Sequence, residues 1–184
     1  MTGRLVHLNG APGVGKSTLA RALVATRPGW LALDIDVLRP LLGGWEDHAA
    51  TGHLVRPLAL AMISAHLAGG RDVVLPQLLV HPVEIERFVA AAHEVGASYA
   101  GILLDLPDDV LAARWREWDV SDPVTVANNR VITADGGDVV VLDRARRLRS
   151  AYASRPDVTV LDVAGLDTRA ALARVVAAID GDAR

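Results

Sequence analysis

The chain has 184 residues, of which 51% are hydrophobic and 22% charged, and its formal net charge is -3. This length and apolar content predict one compact domain over residues 1–184. No stretch approaches the roughly 18 to 20 apolar residues of a membrane-spanning helix, and no secretory leader opens the sequence, so we expect a cytoplasmic protein without a membrane partner. The absence of cysteine excludes disulfide frameworks and thiol nucleophiles. Basic residues are scattered among acidic ones, so no nucleic-acid partner is expected.

Short apolar runs alternate with segments of helical period from Arg4 to Ile179, which is typical of an α/β protein with a parallel sheet. Both faces of such strands are buried, so the strands lack the polar alternation of a solvated sheet. Five strands are predicted, at Arg4–Leu8, Leu31–Asp34, Asp72–Pro76, Tyr99–Leu104 and Val158–Val163.

Proline, glycine and aspartate mark the predicted helix ends. Glycine pairs or Pro-Gly should end helices near Arg27–Gly29 and Gly69–Gly70, and helices should begin near Pro82 and Pro107. Asp143 and Asp167 are predicted helix N-caps. Packing helices are predicted over His81–Val95 and Pro107–Trp118.

Turn-forming residues replace the helical period between Asp119 and Leu142. The segment contains Ser121-Asp122-Pro123, Asn128-Asn129 and Asp135-Gly136-Gly137. A loop of this length inside a compact domain is unusual, so we predict a mobile functional lid over approximately residues 115–143.

The strongest motif follows the first strand and fits the pattern G-x-x-x-x-G-K-[ST] in full. Glycines let the loop fold closely enough for its N–H groups to surround phosphate oxygens. The lysine should reach the β- and γ-phosphates, the serine hydroxyl should bind Mg²⁺, and Thr18 should contact the α-phosphate. The motif therefore predicts a magnesium nucleoside triphosphate site formed by Gly10, Ala11, Pro12, Gly13, Val14, Gly15, Lys16, Ser17 and Thr18.

Two carboxylates follow the predicted second strand, where ligands of a parallel sheet gather. Asp36 could accept a proton from a substrate hydroxyl, or it could only cap the next helix. Asp34 is predicted to hold Mg²⁺ through a water molecule, and the two roles are compatible.

These residues resemble the small P-loop kinases that include gluconate and shikimate kinases and the chloramphenicol phosphotransferase, zeta-toxin and tunicamycin-resistance group. The resemblance rests on Leu8-Asn9-Gly10 before the P-loop, Trp30 to Asp36, and Leu104-Asp105-Leu106-Pro107 to Arg114. It implies an NMP-kinase-like three-layer sandwich with a five-stranded parallel sheet and a lid insertion, ATP and Mg²⁺ as cofactors, and a small-molecule acceptor. It also implies that Asp36 is the general base.

The chain departs from these relatives after the third strand, where they often carry an acidic residue and this sequence has Gln77. An amide cannot replace a charged metal partner. Either Mg²⁺ relies on Ser17, nucleotide oxygens and water with Asp34 nearby, or Gln77 hydrogen-bonds substrate, which is the prediction we favour. Other candidates for the acceptor pocket are Trp45, His48, His53, Arg56, Trp115 and Trp118, although structural roles are equally consistent with their positions. His7, inside the first strand, is predicted to be a core histidine.

Arginines on a closing segment often neutralise the charge that develops during phosphoryl transfer. Arg114 and Arg130 are the leading candidates for this role, and Arg114 is also assigned to nucleotide binding. Arg116 and Arg144 are further candidates, with Arg144 expected to open the helix after the lid. The run Arg146, Arg147 and Arg149 is predicted to be a solvated helix face.

The favoured hypothesis is an ATP-dependent kinase that phosphorylates a hydroxyl of an antibiotic, nucleoside or sugar. A nucleoside or nucleotide kinase, with Arg39 and Arg56 gripping a monophosphate, and a nucleotide-dependent switch are the alternatives. The sequence leaves open the acceptor and the choice between monomer and homodimer.

Overall fold

The computed structural model describes residues 2–118, 121–153 and 155–181, apart from the side chains of residues 48 and 49. The five strands are β1 (Arg4–Asn9), β2 (Leu31–Ala32), β3 (Val73–Leu75), β4 (Ser98–Asp105) and β5 (Val158–Asp162). The helices are α1 (Lys16–Val24), α2 (His48–Ala68), α3 (Pro82–Glu94), α4 (Asp108–Glu117), α5 (Pro123–Ala134), α6 (Asp138–Tyr152) and α7 (Thr168–Gly181), with a 3-10 helix at Ile35–Leu41.

The strands form one parallel sheet in the order β2-β3-β1-β4-β5. The predicted α/β class and five-stranded parallel sheet are therefore confirmed. Strand β2 is shorter than the predicted Leu31–Asp34 because Asp34 turns the chain into the 3-10 helix, where its side chain accepts a hydrogen bond from the Asp36 N–H.

Two apolar cores cover the two faces of the sheet and give the molecule its three layers. One core joins the sheet to α1 and α7, and the other joins it to α2 and α3. Successive residues of β1 alternate between them: Leu5 belongs to the α2/α3 core, and Val6 to the α1/α7 core. Both faces are therefore buried, which explains the uninterrupted apolar strand sequences.

Several helix-end predictions are confirmed. Pro82 starts α3, Gly69 follows the last residue of α2, and the Asp167 carboxylate accepts a hydrogen bond from the Ala170 N–H at the start of α7. Asp143 is not an N-cap, because it lies inside α6 and pairs with Arg147 at 2.8 Å.

The prediction of an irregular loop between Asp119 and Leu142 is wrong, because most of this segment is helical. Asp122-Pro123 starts α5, with the Asp122 carboxylate accepting from the Thr125 N–H, and Gly136-Gly137 forms the turn into α6. The turn-forming residues are thus helix caps and a helix-to-helix turn. Residues 119 and 120 lie outside the described part of the chain.

Candidate functional site

The P-loop connects β1 to α1 and forms an anion cradle. Gly10 has φ 150°, and a Cβ there would stand 2.7 Å from the Leu104 carbonyl oxygen, so only glycine allows this close approach. Gly15 precedes α1 with φ 107° and supplies no side-chain cap. The N–H groups of the first turn are consequently available to an anion, and the helix dipole favours negative charge at the same point. These features fit a bound phosphate chain.

Lys16 lies folded over the loop and is partly buried. Its Nζ donates hydrogen bonds to the carbonyl oxygens of Gly10 at 2.9 Å and Ala11 at 3.0 Å. Burial lowers the pKa of Lys16 from 10.5 to about 8, although the nearby carboxylates of Asp34 and Asp36 oppose this shift. The ammonium group is therefore mostly protonated at pH 7 and loses its proton as the pH rises through about 8.

Ser17 and Asp34 meet beside the loop. The Ser17 Oγ donates a hydrogen bond of 2.7 Å to Asp34 Oδ2. Mg²⁺ in nucleotide sites binds one or two protein oxygens and completes its shell with phosphate oxygens and water, so this pair fits the ion. Within the described ranges, no group of three or more His, Cys, Asp or Glu side chains is arranged to hold a metal ion.

Asp36 lies in the first turn of the 3-10 helix and lines the same cavity as the P-loop. The alternative capping role belongs to Asp34, whose carboxylate accepts from the Asp36 N–H at 3.1 Å. Asp36 raises the pKa of Lys16, so its carboxylate and the ammonium group interact electrostatically. A carboxylate thus faces the space next to the phosphate cradle.

The cavity has a volume of about 720 Å³. Its wall contains the P-loop and Arg21 of α1. It also contains residues of the 3-10 helix, Arg56 of α2 and the segment from β3 into α3. Residues of α5 and Arg144 of α6 complete the wall. This volume lies within the range of small-molecule and cofactor sites.

Gln77 and Arg56 both line this cavity, as predicted for substrate contacts, but their side chains differ in their partners. Gln77 Oε1 is buried and has no hydrogen-bond partner in the described structure. The Arg56 guanidinium pairs with Glu84 Oε2 at 2.9 Å, and Arg87 pairs with Oε1 of the same carboxylate at 3.0 Å. Glu84 also lines the cavity and was not among the sequence-based candidates.

A buried polar network holds the segment that carries Gln77. His7 is fully buried, as predicted, and its Nε2 donates to the Gln77 carbonyl oxygen at 2.9 Å while Nδ1 accepts from the Tyr99 hydroxyl at 3.0 Å. Burial lowers the pKa of His7 from 6.5 to about 4, so this neutral form persists at pH 7. Asn9 bonds the Gly10 N–H and both backbone groups of Leu79. Strand β1 therefore connects the P-loop to the segment that carries Gln77 and Leu79.

The structure does not bring the two leading lid arginines to the cavity wall. Arg114 is partly buried in α4 outside the wall, and Arg130 is exposed on α5. Arg116 pairs with Asp138 at 2.6 Å. Arg144 does line the cavity, but it lies inside α6 instead of opening that helix. Because the segment is helical, Arg144 lies in the cavity wall and Arg130 is exposed to solvent. The predicted loop did not indicate this difference.

The arginine run on α6 is only partly a solvated face. Arg149 donates to the Asp105 carboxylate at 2.9 Å, to Asp108 Oδ1 at 2.7 Å and to the Leu106 carbonyl oxygen at 2.6 Å. Hydrogen bonds to Asp105 and Asp108 raise the pKa of Arg149. Arg146 also pairs with Asp108 at 2.8 Å. These contacts fix α6 to the end of β4 and the start of α4.

Trp45 lies outside the cavity wall and packs against Arg39, whose guanidinium carbon is 5.8 Å from the ring centroid. Arg39 is only 2% exposed and donates to Asn128 Oδ1 at 2.6 Å, which joins the 3-10 helix to α5. Of the remaining aromatic and histidine candidates, Trp118 lines the wall while Trp115 and His53 do not. The side chain of His48 is outside the described residues. Only the three-dimensional contact reveals the roles of Arg39 and Asn128, which are distant in sequence.

The fold is similar to several solved structures. The tunicamycin resistance protein of Deinococcus radiodurans is 21% identical, with a TM-score of 0.62 over 96% of this chain and 95% of that chain. A gluconokinase from Sinorhizobium meliloti 1021 is 18% identical, with a TM-score of 0.66 over 98% and 93%. A hexameric APS kinase from Thiobacillus denitrificans is 15% identical, with a TM-score of 0.54 over 98% of this chain and 29% of that chain.

A search of curated proteins gives no match. No helix in the described part of the chain is long and apolar enough to cross a membrane. A family profile described as AAA domain matches residues 5–134, which is well over half of the sequence. The predicted resemblance to small P-loop kinases is confirmed by this match and by the fold. The chain therefore belongs to the AAA domain family, and its fold is that of the P-loop kinases.

Proposed function

We propose that this protein is an ATP-dependent kinase that transfers the γ-phosphoryl group to a hydroxyl of a small molecule. The observation that carries the proposal is the presence of the P-loop lysine and the Asp36 carboxylate in one cavity. The P-loop supplies the phosphate cradle, and Asp36 supplies a base where an acceptor hydroxyl could lie. The similar gluconokinase and APS kinase structures supply a precedent for phosphoryl transfer on this fold.

In this proposal, Asp36 acts on the acceptor hydroxyl, and basic groups of the cavity stabilise the negative charge that develops on the phosphates. Asp36 accepts the proton of the acceptor hydroxyl. The hydroxyl oxygen forms the new bond to the γ-phosphorus, and the bond between the γ-phosphorus and the ADP oxygen breaks. Lys16 and the loop N–H groups stabilise the negative charge on the transferred group and on the leaving phosphate. Arg144, which has no ion pair among the described residues, is the lid-side cation best placed to add to this stabilisation.

Ser17 and Asp34 would hold Mg²⁺, which would neutralise negative charge on the phosphates when bound. Their hydrogen bond places two oxygen atoms beside the P-loop before the ion arrives. Asp34 would act through a water molecule, as its additional bond to the Asp36 N–H fixes the carboxylate at the base of the 3-10 helix. The same contact orients Asp36.

The experiment that tests this function is ADP release from Mg-ATP over a panel of hydroxyl-bearing antibiotics, nucleosides and sugars. An acceptor should raise turnover above basal hydrolysis in the wild type, and Lys16→Ala provides the blank. Asp36→Asn should lose acceptor-dependent turnover while binding Mg-ATP with comparable affinity. Asp135→Asn, at an exposed carboxylate outside the cavity, is the matched control. Tight ATP binding without acceptor-stimulated turnover would favour a nucleotide-dependent switch.

A further inference from the structure

Arg39 is a buried cation that has no carboxylate partner among the described residues. It is 2% exposed, and its guanidinium donates hydrogen bonds to Asn128 Oδ1 at 2.6 Å and to the Trp45 carbonyl oxygen at 3.2 Å. Its Nε is buried and has no hydrogen-bond partner in the described part of the chain. Burying a charge in this way opposes folding, and an apolar side chain of similar volume often stabilises a protein as well or better. Stability alone therefore does not account for an arginine at this position.

The contact with Arg39 fixes the orientation of the Asn128 side-chain amide. A guanidinium group only donates hydrogen bonds, so the amide atom that faces it must be the oxygen. The amide nitrogen Nδ2, with its two N–H donors, is then directed away from Arg39. Because the amide oxygen accepts from a cation, the amide is polarised and its N–H groups become stronger donors.

This amino group is accessible from the cavity. Asn128 is half-buried and lines the cavity wall. Its Nδ2 has no hydrogen-bond partner within the described ranges, where its one side-chain hydrogen bond is the contact of Oδ1 with Arg39. The side-chain atoms there that are both buried and unpaired are Arg39 Nε and Gln77 Oε1, so Nδ2 is not a buried atom. A molecule in the cavity can therefore accept a hydrogen bond from Asn128.

The 3-10 helix carries both the proposed base and the residue that orients Asn128. Asp36 and Arg39 are three residues apart in this helix, which is one turn, so their side chains leave the same face. Asp36 lines the cavity, and Arg39 reaches Asn128 in the wall of the same cavity. One helical turn thus sets the positions of a proton acceptor and of a hydrogen-bond donor around a molecule in the cavity.

We infer that Asn128 Nδ2 donates a hydrogen bond to an oxygen atom of the phosphoryl acceptor, and that Arg39 is the positioning residue that holds the amide in this orientation. The inference rests on the proposed kinase function and narrows its substrate class. Besides the hydroxyl that reacts at Asp36, the acceptor must carry a second oxygen that accepts this hydrogen bond. Sugars, polyols and nucleosides meet this requirement, and a simple monohydric alcohol does not.

Asn128→Asp tests the hydrogen bond to the acceptor. The carboxylate can still accept from Arg39, so the melting temperature should not fall, but the two N–H donors are lost. The probes are gluconate, glucose, adenosine and uridine, each measured by ADP release from Mg-ATP and by mass spectrometry of the product. For a probe that the wild type phosphorylates, KM should rise about tenfold or more, while the Kd of Mg-ATP changes less than about twofold.

Two further variants separate the loss of the donor from other effects. Asn128→Ala removes the donor without adding a negative charge, so it should also raise the KM of the acceptor. Thr133→Ala, at an exposed residue of α5 outside the cavity wall, is the control and should leave both constants unchanged. An unchanged acceptor KM in both Asn128 variants would overturn the inference and leave the kinase function intact. A weaker Mg-ATP affinity with an unchanged acceptor KM would also overturn it, because Asn128 would then contact the nucleotide.

A double-mutant cycle tests the positioning role of Arg39. Arg39→Met removes the guanidinium and keeps an apolar side chain, so it should raise the acceptor KM in the wild-type background and cause no further rise in Asn128→Ala. A rise by the same factor in both backgrounds would show that Arg39 does not act through Asn128. If the wild type binds Mg-ATP but phosphorylates none of the four probes, the result counts against the proposed function and the inference together.

Discussion

The lysine of the P-loop should make nucleotide binding depend on pH in the physiological range. Burial lowers the pKa of Lys16 to about 8 in the nucleotide-free protein, and phosphate binding requires the protonated form. About nine tenths of the protein would carry this proton at pH 7 and about one tenth at pH 9. The apparent Kd of Mg-ATP should therefore rise about tenfold between these values, equivalent to about 1.4 kcal/mol.

Isothermal titration calorimetry at several pH values between 7 and 9 measures this dependence. Lys16→Arg is the matched control, since a guanidinium stays protonated throughout this range. The variant should bind Mg-ATP more weakly overall, because arginine has a different shape, but with a flat pH profile. A flat profile for the wild type, or an equal slope in Lys16→Arg, would refute the reasoning from Lys16 burial.

Three further predictions concern the proposed base Asp36, the cavity arginine Arg144 and the buried His7. Asp36→Asn should lower kcat by about 10²–10⁴-fold in steady-state assays, and a kcat within twofold of wild type would rule out a proton-accepting role. Arg144→Ala should lower kcat by about 10³-fold, whereas Arg130→Ala, at an exposed residue outside the cavity, should change it less than twofold; equal effects would contradict the placement of Arg144. Burial lowers the pKa of His7 from 6.5 in the unfolded chain to about 4 in the folded protein. As the pH falls, the His7 imidazole is therefore protonated in the unfolded chain before it is protonated in the folded protein. The free energy of unfolding should fall by roughly 3 kcal/mol between pH 6.5 and pH 4. Urea denaturation should show a shallower loss in His7→Gln, and identical pH profiles would contradict the neutral buried state.

The parts of the fold that depend on local sequence were predictable. The P-loop motif has a fixed spacing between a strand and a helix, and the doubly buried strands are continuous apolar runs. Helices α5 and α6 were not predicted because their caps contain the same residue types as loops. Asp122-Pro123 and Gly136-Gly137 suggest turns, yet each stands at a helix end. The buried face of α6, with Val141, Ala145, Leu148 and Tyr152, has the helical spacing that could have revealed it.

The parts of the candidate site that depend on long-range contacts were beyond the sequence. Asn9 bonds Leu79, which is 70 residues away, and no local pattern indicates that partner. Arg39 was a candidate for binding a monophosphate. Its guanidinium instead donates a hydrogen bond to Asn128, 89 residues away, and this bond connects the 3-10 helix to α5. Glu84 likewise determines whether Arg56 is available to a ligand. In each case the sequence shows the residue type, but the role of the residue depends on a partner that only the three-dimensional structure identifies.

The most direct test of the proposed function is mass spectrometry of the acceptor after incubation with Mg-ATP and the protein. The wild type should add one phosphoryl group to a small hydroxyl compound as ADP is released, and Lys16→Ala and Asp36→Asn should leave that compound largely unmodified. Release of ADP together with inorganic phosphate, with every acceptor unmodified, would contradict the assignment as a kinase.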